Sequence, residues 1–176
     1  MYPIYRLFTG ILKAKKSTPL KFTDVSVIHF RCRAWDLDMF MEMNNGRVLT
    51  LFDLGRFDLA LRTGLSAVLK KEKWGLVVAG SSIRYRKRVR FWDKVEMRTQ
   101  VKDVDERWIY IEQSMWVNGE ACSAVLLRTG ITSKGKVIDP QLLQDTMGVK
   151  DVSFAKDTFI EAWKKSELDR PWPPLK

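Results

Sequence analysis

One segment, from Asn45 to Arg62, restricts how this chain can fold more than any other. It is made of good helix formers, contains no proline and carries apolar residues around most of its circumference, which is typical of a helix that is buried on nearly all sides. Gly55 lies in its middle, where glycine costs about 1 kcal/mol relative to alanine. That cost is explained if a neighbouring backbone comes very close, as it would in a sheet wrapped around the helix.

The sequence on either side of this helix is typical of β-strands. Residues 25–33 alternate, with Ile28, Phe30 and Cys32 on one face, which predicts a half-buried first strand. After a short helical stretch at 65–73, four segments rich in Val, Ile, Tyr, Trp and Thr predict further strands at 76–89, 94–102, 107–117 and 120–132. Asn118-Gly119, between the last two, is a strong hairpin signal, and Ser133 to Lys136 marks another turn. The expected fold is therefore α+β, with an antiparallel sheet around a long central helix.

Length and composition predict one domain with extensions. The chain has 176 residues and is 45% hydrophobic, enough for one ordinary core. We divide it into an apolar and basic N-terminal segment (1–20), a central domain (21–139) and a helical C-terminal extension with a Pro-rich tail (140–176). The N-terminal segment is too short to span a bilayer and does not fit a signal peptide. It is expected to form a short helix, either packed on the protein's own core or lying on an anionic membrane surface.

Charge and cysteine content indicate the kind of partner and compartment. There are 31 Lys and Arg against 21 Asp and Glu, a formal net charge of +10, which favours nucleic acid, anionic lipid or a phosphate-bearing cofactor without choosing among them. Only two cysteines occur, so we expect a reducing compartment and a cytoplasmic protein. With one histidine, His29, the sequence has no zinc site of the usual kind, and we expect no metal.

The loop just ahead of the long helix is the best candidate for chemistry. It carries Asp36 and Asp38, and either Asn44 or Asn45 can cap the helix that follows. The unpaired N–H groups of a helix N-terminus can polarise a carbonyl, and Asp38 could act opposite it as a base or nucleophile. The alternative interpretation is an ordinary Asn cap that follows an Asp-rich turn.

These elements resemble the hotdog fold, and within it the acyl-CoA thioesterases of the 4-hydroxybenzoyl-CoA thioesterase type. The resemblance covers about residues 22–138. The family loop typically reads Asp-x-Asp-x-x-Gly-His-Val-Asn-Asn-x-x-Tyr, with an acidic residue and a small-Arg pair farther along the helix. The matching positions in this chain are Asp36, Asp38, Asn44, Asn45, Asp53, Gly55 and Arg56. Ile83 to Arg86, Trp92-Asp93 and residues 94–99 also look like the family's second and third strands.

Three positions depart from the family pattern. Where relatives usually carry Gly, His and Tyr, this chain has Met41, Glu42 and Val48. Losing the glycine would alter the loop backbone. Glu42 would raise the pKa of a carboxyl group such as that of Asp38 if the two approach within about 4 to 6 Å.

The resemblance implies hydrolysis of an acyl-CoA thioester without metal or other cofactor, at a site built between two subunits of a homodimer or homotetramer. Asp38 is then the base or nucleophile, and the N–H groups near Asn45 and Gly46 are the oxyanion donors. Asn44 is expected on the substrate side. Asp53 is an alternative carboxylate, since some hotdog thioesterases use one on the helix, and Asp36 is interpreted as a turn residue.

Coenzyme A carries several phosphate charges, and a basic row could bind them. Arg84, Arg86, Arg88 and Arg90 recur at period two, with Lys87 among them, so a strand here would present guanidinium groups along one face. The equally weighted alternative is a charged strand edge that prevents pairing with another chain.

Two other functions compete with thioester hydrolysis. One is a hotdog protein that binds acyl-CoA or another lipid without hydrolysing it, which shares every binding feature. The other is nucleic-acid binding, suggested by the charge and seven tryptophans, although no RNP motif, zinc-finger spacing or helix-turn-helix signature occurs; we therefore expect no nucleic-acid partner. Serine hydrolase chemistry lacks a Gly-x-Ser-x-Gly motif.

Overall fold

The computed structural model describes residues 2–149, 152–171 and 174. Of the predicted Pro-rich tail, Trp172, Pro173, Leu175 and Lys176 lie outside the described residues. No helix within the described ranges is long and apolar enough to cross a membrane.

The described residues form five helices and six strands. The helices are α1 (Ile4–Lys16), α2 (Asn45–Arg62), α3 (Leu65–Glu72), α4 (Pro140–Met147) and α5 (Thr158–Asp169), with one 3-10 turn at Ala34–Asp36. The strands are β1 (Ser26–Arg31), β2 (Gly75–Tyr85), β3 (Lys94–Val104), β4 (Ile109–Val117), β5 (Glu120–Ser133) and β6 (Lys136–Ile138).

The strands form one antiparallel sheet. Its order is β1-β3-β4-β5-β2, and β6 pairs with β5. Both residues of the Asn118-Gly119 turn have positive φ, as do Lys134 and Gly135 in the turn before β6, which is the backbone conformation of tight hairpins. The predicted hairpin signals and the α+β fold class are confirmed.

Helix α2 lies across the inner face of this sheet and has the predicted bounds. Leu51 and Phe52 are fully buried, and Gly55 allows the helix to approach β3 and β4 closely. A Cβ at Gly55 would lie 2.8 Å from both Gln113 Nε2 and Met97 Sδ, and closer still to Thr99. The close neighbours are therefore side chains of the sheet, whereas the sequence suggested its backbone.

The opposite face of the sheet is covered by α5. Tyr110, Leu126 and Ile160 form a second buried cluster there, with Trp163 of α5 packed against them. Lys164 Nζ donates to Asp103 over 2.7 Å and fastens the helix to β3. The C-terminal extension therefore packs on two sides, because α5 covers this face whereas Leu143 of α4 is buried in the main core.

Helix α1 lies against α2 and the end of β1. Ala14 is buried and Leu7 packs against the main core, while Arg6 Nη2 donates to the carbonyl oxygen of Arg31 over 2.9 Å. The N-terminal segment does pack on the protein's own core, and only one side of it is used.

Candidate active site at the N-terminus of α2

The loop that precedes α2 folds back on itself as a narrow backbone hairpin. The N–H of Asn44 donates to Asp36 O over 2.9 Å, Leu37 bridges Met43, and the N–H of Asp38 donates to Glu42 O over 2.9 Å. Met41 closes the tip with a φ of 58°. This left-handed conformation is the one that glycine adopts most readily, so methionine occupies a backbone position that favours glycine.

Asp36 fixes this hairpin to the rest of the protein. Its carboxylate is fully buried and accepts hydrogen bonds from Arg47 Nε and Arg6 Nη2, each over 2.7 Å. It also accepts the N–H of Arg33 over 2.9 Å, within the 3-10 turn. A carboxylate with these partners has a structural role, which agrees with its interpretation as a turn residue and adds two ion pairs to it.

Asp38 lies at the half-buried tip region of the hairpin, opposite Glu42. Its Oδ1 accepts the N–H of Phe40 over 2.8 Å, and among the described residues no group donates a hydrogen bond to its Oδ2. The Glu42 carboxylate lies beside Arg88, with 2.8 Å between Oε2 and Nε. The negative charge that Glu42 adds to the loop is therefore paired with a cation.

The first turn of α2 presents unpaired N–H groups to solvent. Asn44 is the cap, and its Oδ1 accepts the N–H of Arg47 over 3.1 Å. Asn45 and Gly46 are exposed, and no acceptor among the described residues bonds their N–H groups. The positive end of the helix dipole lies behind them, so this end of α2 can bind an oxyanion.

A small cavity of about 180 Å³ lies next to this helix end, between α2 and the segment that follows β2. Asn45 and Val48 form one wall, and Arg86 to Val89 form another. Val48 stands where relatives usually carry Tyr, a larger side chain. Tyr85 Oη donates to Asn45 O over 3.2 Å and connects β2 to the helix.

Ser123 also lines this cavity and was missed by the sequence analysis. The residue is only 5% exposed, and its Oγ has no hydrogen-bond partner among the described residues. It lies opposite Met115 in the sheet register, two residues before the buried Val125. Its only sequence signal is a hydroxyl at an inward position of a strand face that it shares with Val125, Leu127 and the buried Thr129. A buried hydroxyl without a partner costs about 1 to 3 kcal/mol, so it is a candidate ligand contact.

The predicted period-two row of arginines is wrong in its regular form. Strand β2 ends at Tyr85, because the N–H groups of Arg86 and Lys87 both donate to Cys122 O, over 2.8 and 3.1 Å, and the chain leaves the ladder. Arg86 and Arg88 line the cavity. Arg84 instead lies 5.8 Å from the centre of the Phe159 ring of α5. The fourth, Arg90, bridges Glu42 through the backbone.

Asp53 lies along α2, eight residues after Asn45, which corresponds to about 12 Å of helix. It forms an ion pair with Arg56, whose Nη1 donates to the buried Gln113 over 2.7 Å. Burial lowers the pKa of Arg56, and the charge of Asp53 opposes this. Burial, followed by the charge of Asp53, raises the pKa of Tyr2. Within one chain, Asp53 therefore belongs to a separate cluster from the helix tip.

A larger open cleft of about 1610 Å³ runs between α1, β1 and α2. It is lined at one end by Asn44, Gly46 and Arg47. Apolar residues, among them Phe30, Leu54 and Phe57, line the part farther along α2. The helix tip is therefore next to two concave surfaces, a small basic one and a large one lined by both apolar and basic residues.

Comparison with known proteins identifies the family. The sequence profile of the thioesterase-like superfamily matches residues 32–143. The chain belongs to the thioesterase-like superfamily. It is 32% identical over 111 residues to Protein THEM6 of Drosophila melanogaster, a match that covers 62% of this chain and 56% of the relative. The chain spans about half the length of the curated relatives it matches.

Solved structures of proteins described as thioesterases share the hotdog fold seen here. YbaW of Escherichia coli, described as a probable thioesterase, matches with a TM-score of 0.65 at 16% identity, over 72% of this chain and 98% of YbaW. A thioesterase from Thermus thermophilus, complexed with coenzyme A and Zn, matches with a TM-score of 0.61 at 19% identity, over 71% of this chain and 98% of that one. The predicted family and hotdog fold are confirmed.

Proposed function

We propose that this protein hydrolyses acyl-CoA or a related acyl thioester at the N-terminus of α2. The observation that carries the proposal is the pair of unbonded N–H groups at Asn45 and Gly46. Asn45 lines the small basic cavity that has the unpartnered Ser123 hydroxyl in its wall, and Gly46 lines the larger cleft. Membership of the thioesterase-like superfamily supports the thioester as the substrate class. A preorganised pair of donors of this kind is usually worth a large factor in rate.

In this proposal the two N–H groups stabilise the oxyanion that forms when the thioester carbonyl is attacked. Asp38 acts from the loop, either by removing a proton from the attacking water or by attacking the carbonyl carbon itself. The C–S bond then breaks and the coenzyme A thiolate leaves and takes up a proton. On the direct route the water oxygen enters the acid; on the covalent route an acyl-aspartate forms first and water cleaves it.

Basic side chains next to the cavity are suited to the phosphate groups of coenzyme A. Arg86, Lys87 and Arg88 line it, and guanidinium groups bind phosphate through paired hydrogen bonds. Arg84 lies nearer α5 and is the weakest of the proposed contacts. Because the Oδ1 of Asn44 already accepts the N–H of Arg47, Asn44 would contact substrate through its Nδ2 donors. No cofactor other than the coenzyme A of the substrate is needed.

We further propose that a second copy completes the site, in a homodimer or homotetramer. Strand β2 forms an edge of the sheet, and its Val77 and Val78 are 41% and 50% exposed. An exposed apolar edge favours pairing with another strand. Both cysteines are free and buried, which supports a reducing compartment such as the cytoplasm.

A panel of acyl-CoA substrates, assayed for free thiol with the purified protein, tests the activity. Asp38→Asn is expected to lower kcat/KM by about 100-fold or more, whereas Asp145→Asn, an exposed aspartate on α4, should leave it unchanged. Single turnover in ¹⁸O-water separates the two routes, since only the covalent route places label in the Asp38 carboxylate. If Asp53→Asn abolishes turnover and Asp38→Asn does not, the carboxylate on α2 is the catalyst.

The rival function is binding of acyl-CoA or lipid without hydrolysis. It predicts saturable acyl-CoA binding by the wild-type protein with no thiol release above the uncatalysed rate. The departures at Met41 and Glu42 motivate this rival. The wild-type measurement decides between the two before any variant is made.

A further inference from the structure

The outward side of α1 is apolar and has no partner among the described residues of the chain. Ile4, Tyr5, Phe8 and Leu12 are 69%, 80%, 62% and 47% exposed. At 3.6 residues per turn these four side chains fall within an arc of about 100°. They form a continuous apolar stripe, which we call the α1 stripe.

The stripe is held in place by the opposite side of the helix. Leu7 packs against the main core, Ala14 is buried, and Arg6 Nη2 donates to the buried Asp36 carboxylate over 2.7 Å. Because α1 is fixed by these contacts, it presents the stripe to solvent in one orientation.

Basic residues lie at the C-terminal end of the stripe. Lys13, Lys15 and Lys16 all lie in the last turn of α1, and no acidic residue precedes Asp24 in the sequence. On a helical projection, Lys15 lies within the arc of the stripe and Lys16 just outside it. An apolar stripe bordered by lysines is the pattern of helices that lie in the plane of an anionic membrane surface.

Two tryptophans outside α1 are also exposed. Trp35 is 70% exposed and lines the same cleft as Ile4 and Tyr5. Trp92 is 47% exposed, and the guanidinium groups of Arg31 and Arg33 lie 5.3 and 4.4 Å from its ring centre. Tryptophan and tyrosine favour the headgroup level of a bilayer, so Trp35 adds to the surface near α1, and Trp92 with its two arginines is a second exposed group of the same chemical character.

We propose that the α1 stripe docks the protein on an anionic lipid surface, with α1 lying in the plane of the membrane. Shallow apolar insertion and attraction of lysines to anionic headgroups are two signals that together give stable association. Each basic residue near such a surface raises partitioning about fivefold. A second copy is a poorer occupant than an anionic surface, because this chain carries a formal net charge of +10 and two copies repel each other. This inference does not depend on the proposed thioesterase activity.

Flotation with vesicles tests the proposal. The full chain is expected to float with phosphatidylcholine vesicles that contain about 30 mol% phosphatidylglycerol and to stay unbound with phosphatidylcholine alone. Binding should fall as NaCl rises from about 0.1 to 0.5 M. Phe8→Glu should reduce binding at least about 10-fold, and Lys15→Glu with Lys16→Glu should do so as well. Leu168→Glu, at an 86% exposed position on α5, is the matched control and should bind like the wild type.

Circular dichroism and thermal melting confirm that each variant is folded. Equal binding to neutral and anionic vesicles, or unchanged binding by folded Phe8→Glu, would overturn the proposal. A further result would also overturn it. If the wild-type protein does not bind vesicles and sediments as an oligomer, and Phe8→Glu sediments as a smaller species, the stripe is a contact between copies. Since the readout is flotation, loss of catalysis in any variant leaves the result interpretable.

Discussion

Asp36 and Arg47 form a buried ion pair that joins the loop to the first turn of α2, with Nε and Oδ1 2.7 Å apart. The same carboxylate receives Arg6 from α1, and both arginine side chains are at least 85% buried. Asp36→Ala removes the buried carboxylate that both guanidinium groups contact, so we expect a loss of about 3 to 5 kcal/mol in the free energy of unfolding. Urea unfolding followed by circular dichroism measures it.

Glu120→Gln provides the matched control for Asp36→Ala. Its partner Lys87 is 2.6 Å away, but the side chains are 62% and 52% exposed, and such pairs contribute less than about 1 kcal/mol. Equal losses in the two variants would show that burial does not determine the strength of the Asp36 ion pairs.

Asp36 also shows what a sequence can reveal and what it cannot. Its place in a turn follows from local pattern, as do the bounds of α2, because helical periodicity and capping are properties of neighbouring residues. Its partners Arg6 and Arg47 are 30 and 11 residues away and are known only after the chain has folded. The end of β2 was also not predictable from local sequence, since it depends on a hydrogen bond to a distant residue, the carbonyl oxygen of Cys122 in β5.

The candidate site divides in the same way. The capped helix end with Asn44 and the loop carboxylate Asp38 were predictable, because they lie close together in sequence. The Ser123 hydroxyl was not, because only the register of β5 against β4 turns it toward α2. The alternation along a strand predicts which face of the sheet a residue lies on. It does not predict which helix end will pack against that residue.

Gly55→Ala is expected to lower the free energy of unfolding by about 1 to 3 kcal/mol, although alanine favours helices. Its Cβ would approach Gln113 Nε2 and Met97 Sδ to 2.8 Å and Thr99 more closely, and overpacking of this kind strains a core. Gly10→Ala is the control, because no atom lies within 4 Å of a Cβ there. It should stabilise α1 by about 0.5 to 1 kcal/mol. Thermal melting measures both variants. Melting temperatures that shift in the same direction, relative to the wild-type protein, would contradict overpacking at Gly55 as the cause.

Met41→Gly is expected to be neutral or to stabilise the protein by up to about 1 kcal/mol. Methionine at a φ of 58° is disfavoured by about 1 to 2 kcal/mol, whereas glycine adopts this conformation freely. Part of the resulting stabilisation is lost, because glycine gives the unfolded chain more conformational entropy. Met41 is 65% exposed, so little packing is lost. Met39→Gly, in the same loop at 86% exposure and without a positive φ, should destabilise. A reversed order in chemical unfolding would rule out backbone conformation as the cause.

Stability should fall above about pH 9. Burial, followed by the nearby charge of Asp36, raises the pKa of Cys32 from 9.0 to about 11, and burial also raises the pKa of Cys122. The unfolded thiol then ionises before the folded one, so the stabilising contribution is complete below pH 9 and is lost as pH rises through 11. For Cys32 the loss is on the order of 2 to 3 kcal/mol. The urea midpoint, measured at pH 7, 9 and 10.5, should decline less with pH in Cys32→Ala than in the wild-type protein. If both proteins decline equally, other groups cause the effect.

Ser123→Ala is expected to separate a ligand contact from a structural role. Because the Oγ atom is buried without a partner, removing it should leave the free energy of unfolding unchanged or slightly higher. If the hydroxyl donates to the bound acyl thioester, as its position beside Asn45 and Val48 suggests, kcat/KM should fall about 10-fold, equivalent to about 1.4 kcal/mol. Ser123→Thr keeps the hydroxyl and should recover most of the loss, since the cavity of about 180 Å³ has room for a methyl group. Unchanged kinetics in a stable Ser123→Ala would mean that the hydroxyl binds only water and takes no part in binding the substrate.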